Sequence, residues 1–275
     1  STEEAVAQAM VRIQGAYSCV LMTATKLIAF RDPHGFRPLC YGQTPDGAYV
    51  VASESCALET VQAKLIREVE PGEVLVFSEK GVQSDRRHCG QQSTLCVFEY
   101  IYFARPDSVI QGASVHSARL CAGHFLARES PANADVVIGV PDSGIDAAVG
   151  FAQESGIPYG IGFLKNKYIG RSFIAPTQQM RENAVKIKLN VIAETVRNKR
   201  VILIDDSIVR GTTSRRIVRL LREAGAKEVH MRVSSPPFRY PCFFGTDVDS
   251  RENLIACRLS TDEEIAREIG ADSLA

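Results

Sequence analysis

The run Val201-Ile202-Leu203-Ile204-Asp205-Asp206-Ser207-Ile208-Val209-Arg210-Gly211-Thr212-Thr213-Ser214 holds more usable chemistry than any other stretch of the 275-residue chain. Four apolar residues read as a buried strand that ends in two carboxylates. A short loop with one glycine and several hydroxyls then opens a helix predicted over 213–224, with Gly225 as its stop. A helix start offers unpaired backbone N–H groups and the positive end of the dipole, which suits a phosphate. Gly211 lets the backbone approach that phosphate, and Thr212, Thr213 and Ser214 add donors. Asp205 and Asp206 have the chemistry to accept hydrogen bonds from sugar hydroxyls or to hold magnesium, a hard cation that prefers oxygen. Any two of these features alone would fit an ordinary strand–loop–helix. The run is not a Walker loop, which needs G-x-x-x-x-G-K-[ST].

The elements that must position this run lie on both sides of it. Val136–Val140 reads as a continuous apolar strand, followed by Pro141-Asp142-Ser143-Gly144 and an amphipathic helix capped by Ser143 and ending before Gly156. Tyr159–Phe163 is strand-like, 180–197 helical and Glu228–Val233 a further strand. Ser260 with Glu263 caps a last helix that ends near Gly270. Apolar strands alternating with helices imply a parallel sheet covered on both faces, with ligands bound beyond its C-terminal strand ends.

Before about Asp85 the pattern is different. Residues 1–14 read as a helix, with Ser1 and Glu4 spaced as a capping box and Gly15 as stop. Strand-like runs follow at 16–22, 26–30, 49–52 and 74–77. The polar stretch 84–94 marks the domain boundary, which predicts one domain over 1–90 and a second over 91–275.

Formal net charge is zero and 45% of residues are hydrophobic, which argues for globular cores and against a nucleic-acid binder. No segment approaches the roughly 18 apolar residues of a membrane span, and the start Ser1-Thr2-Glu3-Glu4 is not that of a signal peptide. The expected setting is cytoplasmic, with most of the eight irregularly spaced cysteines reduced and buried.

The 201–214 run resembles the fingerprint with which type I phosphoribosyltransferases bind phosphoribosylpyrophosphate (PRPP). Three more stretches resemble one family among them, the glutamine PRPP amidotransferases. Val140-Pro141-Asp142-Ser143-Gly144 looks like its pyrophosphate loop. Lys165-Asn166-Lys167-Tyr168-Ile169-Gly170-Arg171-Ser172-Phe173-Ile174 looks like the loop that closes over PRPP, although by itself it would read as a solvated charged surface. Phe98-Glu99-Tyr100-Ile101-Tyr102-Phe103-Ala104-Arg105-Pro106-Asp107-Ser108 is similar to the segment joining glutaminase to transferase. Arg31-Asp32-Pro33-His34-Gly35-Phe36-Arg37-Pro38-Leu39 and Ala52-Ser53-Glu54-Ser55 resemble the second half of an N-terminal-nucleophile glutaminase, where they read as architecture.

The resemblance implies an αββα glutaminase half followed by an α/β transferase domain. It implies 5-phosphoribosylamine formation from PRPP and ammonia, the first step of purine biosynthesis, with glutamine as the ammonia source. The 5′-phosphate would sit on Arg210, Gly211, Thr212, Thr213 and Ser214, and the ribose hydroxyls on Asp205 and Asp206. Asp142, Ser143 and Gly144 would hold pyrophosphate, with Ser143, Asp205 and Asp206 near magnesium. Lys165, Lys167, Tyr168 and Arg171 would act at the reacting centre. Purine nucleotide inhibitors and a homotetramer are also implied. The family's nucleophilic cysteine, expected before Ser1, is not in this sequence, and glutaminase activity is accordingly not expected of these 275 residues. Ser1 starts a capped helix and is rejected as a replacement. Two other classes compete: a nucleobase phosphoribosyltransferase, which leaves 1–110 without a role, and a PRPP-sensing regulator, which should carry a nucleic-acid-binding element.

The resemblance extends to iron. Some members hold a structural 4Fe-4S cluster on four cysteines. Cys96 and Cys242 match two of these ligands, with a Cys-x-x-Cys pair expected beyond Ala275. The alternative is two buried thiols. The cluster is expected in the longer protein and not in these residues, with Cys96 and Cys242 near each other.

Overall fold

The structure is a computed structural model that describes residues 1–166, 189–246, 248 and 250–275. Packing divides it into two compact units, Ser1–Ser117 with Cys242–Asp247, and Ala118–Pro241 with Val248–Ala275. Residues 91–117, assigned to the second domain from composition, pack with the first unit.

The first unit is layered. Strands β1 (Ser18–Met22), β2 (Leu27–Arg31), β6 (Val74–Ser78) and β7 (Gly81–Asp85) form one antiparallel sheet in the order β1-β2-β6-β7. Strands β3 (Cys40–Gln43), β4 (Tyr49–Ala52) and β5 (Lys64–Glu68) form a second in the order β4-β3-β5, and the short strands β8 (Val109–Ile110) and β9 (Ala113–Ser114) pair antiparallel. Alternation along the strands sends Ala29, Leu75 and Phe77 into one core with Leu39, Tyr41 and Val69. Ile28, Val74 and Val76 face the other way, onto Val6 and Met10 of the helix Thr2–Met10. The helix Ser55–Thr60 covers the outer face of the second sheet through Leu58 and Cys40. The result is α/β/β/α.

In the first helix the Ser1 hydroxyl accepts from the Glu4 amide as expected, at 3.4 Å, but the helix ends at Met10 rather than running to 14. Val11 and Ile13 are apolar but exposed, so only Val6, Ala7 and Met10 anchor the helix and nothing holds its expected last turn.

In the second unit β10 (Val136–Gly139), β13 (Arg200–Asp205), β14 (Glu228–Val233) and β15 (Ser273–Leu274) form an all-parallel sheet in that order. One face packs Ile138, Val201 and Leu203 against Ile217, Val218 and Leu221 of the helix Thr212–Glu223. The other packs Val137, Ile202 and Ile204 against Ala147, Ala148 and Phe151 of the helix Gly144–Ser155. The expected parallel sheet, covered on both faces, is present.

Three local expectations are corrected. Residues 159–162 make only a single isolated bridge, Val137 to Tyr159, and the strand β11 is Phe163–Lys165. Gly160 and Gly162 lie hard against Val136 and Ile138, where close approach replaces regular pairing. Of the expected helix 180–197, residues 180–188 lie outside the described residues. Leu189–Val191 form the strand β12, paired antiparallel with β11, and only Ala193–Val196 is helical. Leu189 and Val191 pack on the sheet core, so tertiary pairing overrides the helical pattern. The last helix, Asp262–Ile269, is capped by Thr261 and Glu264, one residue later than expected.

Candidate functional site

Two loops meet where the parallel strands β10 and β13 end. The Val140 amide donates to the Ile204 carbonyl at 2.9 Å, so the 141–144 loop begins beside Asp205. Gly144 sits so close that a Cβ there would lie 2.6 Å from the Ile204 carbonyl oxygen. Only glycine allows the two loops this approach. The Pro141–Asp142 peptide is cis.

Asp205 and Asp206 are both buried. The Asp206 amide donates to an Asp205 carboxylate oxygen at 2.9 Å. The Ser143 and Ser207 hydroxyls donate to the two oxygens of Asp206. Ser143 was expected to cap its helix; its side chain makes no cap bond, because it serves the buried carboxylate instead. Burial, then the neighbouring Asp206 charge, pushes the Asp205 carboxyl up to about 8, with the Asp206 amide opposing.

The phosphate-type loop follows. Gly211 is buried with φ +82° and introduces the helix Thr212–Glu223, one residue earlier than expected. The first backbone bond of the helix runs from the Arg215 amide to the Gly211 carbonyl at 2.9 Å. The amides of Thr212, Thr213 and Ser214 precede it and form the anion-binding end. Thr212 and Thr213 are exposed and Ser214 is buried. Arg210 stands at the entrance of this loop.

Lys165, at the end of β11, pairs its ammonium with the Asp142 carboxylate. Lys165 thus reaches the pyrophosphate-type loop, a side-chain pairing that its spacing in sequence does not reveal. Lys167, Tyr168 and Arg171 lie outside the described residues, as does all of 167–174.

The site residues fit a divalent cation. Two adjacent buried carboxylates repel each other, and among the described residues neither is paired with a lysine or arginine. A hard cation, or sugar hydroxyls, would satisfy them.

Cys96 and Cys242 both belong to the first unit. The Cys96 amide donates to the Phe36 carbonyl at 3.1 Å, and the Phe36 ring stacks on Phe244 at 4.4 Å. The Phe244 amide donates to the Cys242 sulfur at 3.4 Å. Burial works upward on the Cys242 thiol, but the Thr246 hydroxyl, the Phe244 and Thr246 amides and the Arg37 charge outweigh it. The thiol is held below its ordinary value. Two thiolates do not complete a four-cysteine set. Among the described residues no group of three or more His, Cys, Asp or Glu side chains is arranged for a metal.

Arg37, only one member of the 31–39 stretch in sequence, has a distinct role in the structure. Its guanidinium donates to Glu99 Oε1 at 2.7 Å and to the Phe244 carbonyl at 3.0 Å, and lies 4.3 Å from the centre of the Phe103 ring. A charged residue between Phe36 and Pro38 gives no periodic signal that would find it.

The phosphoribosyl transferase domain family matches residues 113–235 and the glutamine amidotransferase domain family residues 1–60. An amidophosphoribosyltransferase of Bacillus subtilis is 52% identical over 272 residues, covering 99% of this chain and 57% of the relative. The chain belongs to the amidophosphoribosyltransferase family. A second family member, from Archaeoglobus fulgidus, is 53% identical over 261 residues, covering 95% of this chain and 57% of its own. The solved glutamine PRPP amidotransferase of B. subtilis, complexed with ADP and GMP, superposes with a TM-score of 0.89 at 51% identity, over all of this chain and 60% of that one. The chain therefore spans a little over half the length of its amidophosphoribosyltransferase relatives. Both layered units match the fold expected of this family, a glutamine amidotransferase domain and a type I phosphoribosyltransferase domain.

Proposed function

We propose that this chain carries the PRPP site of an amidophosphoribosyltransferase that forms 5-phosphoribosylamine from PRPP and ammonia, the first step of purine biosynthesis, with the ammonia drawn from glutamine. The observation that carries this reading is the Asp205–Asp206 pair at the end of β13, beside the Gly211-led helix start and tied to Ser143 of the neighbouring loop. Residues 1–90 are read as glutaminase architecture and 91–275 as the transferase.

PRPP transfer needs no protein nucleophile. The C1–pyrophosphate bond weakens while neutral ammonia approaches the opposite face, and pyrophosphate leaves with the bonding pair. The protein supplies position and charge neutralisation. The amides of 212–214 and Arg210 hold the 5′-phosphate. Asp205 and Asp206 accept from the ribose hydroxyls. The loop 142–144 and Lys165 hold the pyrophosphate, and Lys167, Tyr168 and Arg171 are proposed to join them. Magnesium, held near Ser143, Asp205 and Asp206, would neutralise pyrophosphate charge.

The relative solved with ADP and GMP supports purine nucleotides as inhibitors, and the family resemblance supports a homotetramer. No helix among the described residues is long and apolar enough to cross a membrane. The eight free cysteines support a cytoplasmic setting. The lowered pKa of the Cys242 thiol, and the contacts that run from Cys242 through Phe244 and Phe36 to the Cys96 amide, support the iron–sulfur subtype, with both as cluster ligands.

The test is turnover with PRPP, magnesium and ammonia, reading pyrophosphate and phosphoribosylamine. Both products should form. Pyrophosphate released only when a nucleobase replaces ammonia would overturn the reading in favour of a nucleobase transferase. PRPP binding without turnover on any acceptor would favour a sensor.

A further inference from the structure

The loop 31–39 is too well organised to be only a turn. Asp32 is fully buried and accepts from the His34 amide at 3.0 Å and the Phe36 amide at 3.1 Å. Arg31, equally buried, donates to the carbonyls of Arg37 at 2.6 Å, Val69 at 2.8 Å and Gly35 at 2.9 Å. The backbone of Arg37 is thereby fixed. The same loop holds the stretch before Phe98, because the Thr94 amide donates to the His34 carbonyl at 2.8 Å and the Cys96 amide to that of Phe36 at 3.1 Å. From this platform Phe36 stacks on Phe244, and Arg37 bridges Glu99 and the Phe244 carbonyl. Gly245, at φ +100°, leaves room for the guanidinium, since a Cβ there would lie 3.2 Å from Arg37 Nη2.

We propose that Arg37 is the positioning residue of the Cys96–Cys242 pair: with Phe36 it seats the turn 242–246 on the loop that also holds the Cys96 backbone. The clamp stands on the geometry, and its use for a cluster rests on the reading of these cysteines as ligands. Arg37 bonds a buried carboxylate and a backbone carbonyl at once through a rigid fork, which a lysine cannot reproduce.

The experiment compares the intact protein with Arg37→Met and Arg37→Lys. Amide hydrogen exchange across 242–246 should quicken at least about tenfold in R37M, the change that corresponds to about 1.4 kcal/mol, and by less in R37K. Exchange elsewhere in the first unit should hold. If the intact protein contains iron and sulfide, its visible absorption should bleach faster in air in R37M. Should R37M fail to fold, Glu99→Gln removes the anchoring charge and should quicken exchange in the same segment. Unchanged exchange across 242–246 in R37M, or in E99Q where R37M does not fold, overturns the clamp. Absence of iron from the intact wild-type protein instead sinks the cluster reading and leaves the exchange test standing.

Discussion

Ser143 donates its hydroxyl to Asp206, 63 residues away in sequence, and so ties the loop after β10 to the loop after β13. The acidic pair is thus held from both strands. Asp205→Asn combined with Asp206→Asn keeps the shape and removes both ionisable carboxyls. PRPP affinity should fall by at least about 1–3 kcal/mol, the range for losing charged hydrogen bonds. Calorimetric titration checks this, and unchanged affinity would refute the ribose and magnesium role.

The Asp205 carboxyl should release its proton when magnesium and PRPP bind. Burial, then Asp206, raises its pKa from 3.8 to about 8, which favours the protonated form in the absence of ligand. A cation or a donating sugar hydroxyl favours the ionised form and lowers that value. Titrations in two buffers of different ionisation enthalpy should reveal proton release, absent in Asp205→Asn. The same shift has a stability consequence. Between about pH 4 and pH 8 the folded state binds the proton more tightly than the unfolded chain, so ligand-free stability should decline as pH rises through that window. Denaturant melts of wild type and D205N across the window should diverge in that direction.

Gly144→Ala should be more damaging than Gly211→Ala. At Gly144 the added carbon meets the Ile204 carbonyl at 2.6 Å, and backbone cannot swing aside. At Gly211 it meets the Ile255 Cδ1 at 2.5 Å, the movable tip of a side chain, although φ +82° adds about 1–2 kcal/mol of left-handed strain. Denaturant unfolding should rank the two in that order. A G144A protein as stable as G211A would show that the loops separate easily.

Thr261→Ala should cost about 0.5–2 kcal/mol, the usual value of a lost N-cap. The Thr261 hydroxyl accepts from the Glu264 amide at 3.2 Å, and the Glu264 carboxylate accepts from the Thr261 amide at 3.3 Å and the Ser260 amide at 2.7 Å. Ser260→Ala leaves all three groups in place and should change stability by less than about 0.5 kcal/mol, as a surface substitution does. Thermal melts of the two variants distinguish the caps.

Lys165→Gln should weaken PRPP binding about tenfold or more, since a charged hydrogen bond is worth about 1.5–3 kcal/mol. Asp142→Asn should not weaken it to that extent if, as proposed, Lys165 exchanges its contact with the Asp142 carboxylate for the pyrophosphate of PRPP. Binding isotherms for the two variants test the exchange of partners.

How much of this was legible depends on the kind of force involved. The strands 201–204 and 136–139 could be read because both faces of the sheet are covered and their residues are apolar or glycine, and 228–233 because Val229, Met231 and Val233 alternate with Glu228, His230 and Arg232. The acidic pair and Gly211 could be read because strand end, loop glycine and helix start are consecutive. Long-range hydrogen bonds left no such trace. Ser143 turned from a cap to a carboxylate 63 residues on. Leu189–Val191 became a strand only because β11 offered an edge. Thr261 and Ser260 both have hydroxyls three residues before a glutamate, so spacing alone was degenerate.

The first unit closes on a turn that lies late in the chain, Cys242–Asp247. During synthesis, residues 118–241 must leave the ribosome before that turn exists. At roughly 5–20 residues per second this takes on the order of ten seconds. For that interval Phe36 has no ring to stack on, and Arg37 lacks one of its two anchors. Expressing residues 1–117 alone would make the interval permanent and leave an aromatic–cationic seat open to chaperones and to aggregation. The natural folding unit therefore extends in sequence well past the point where the first unit's own sheets end.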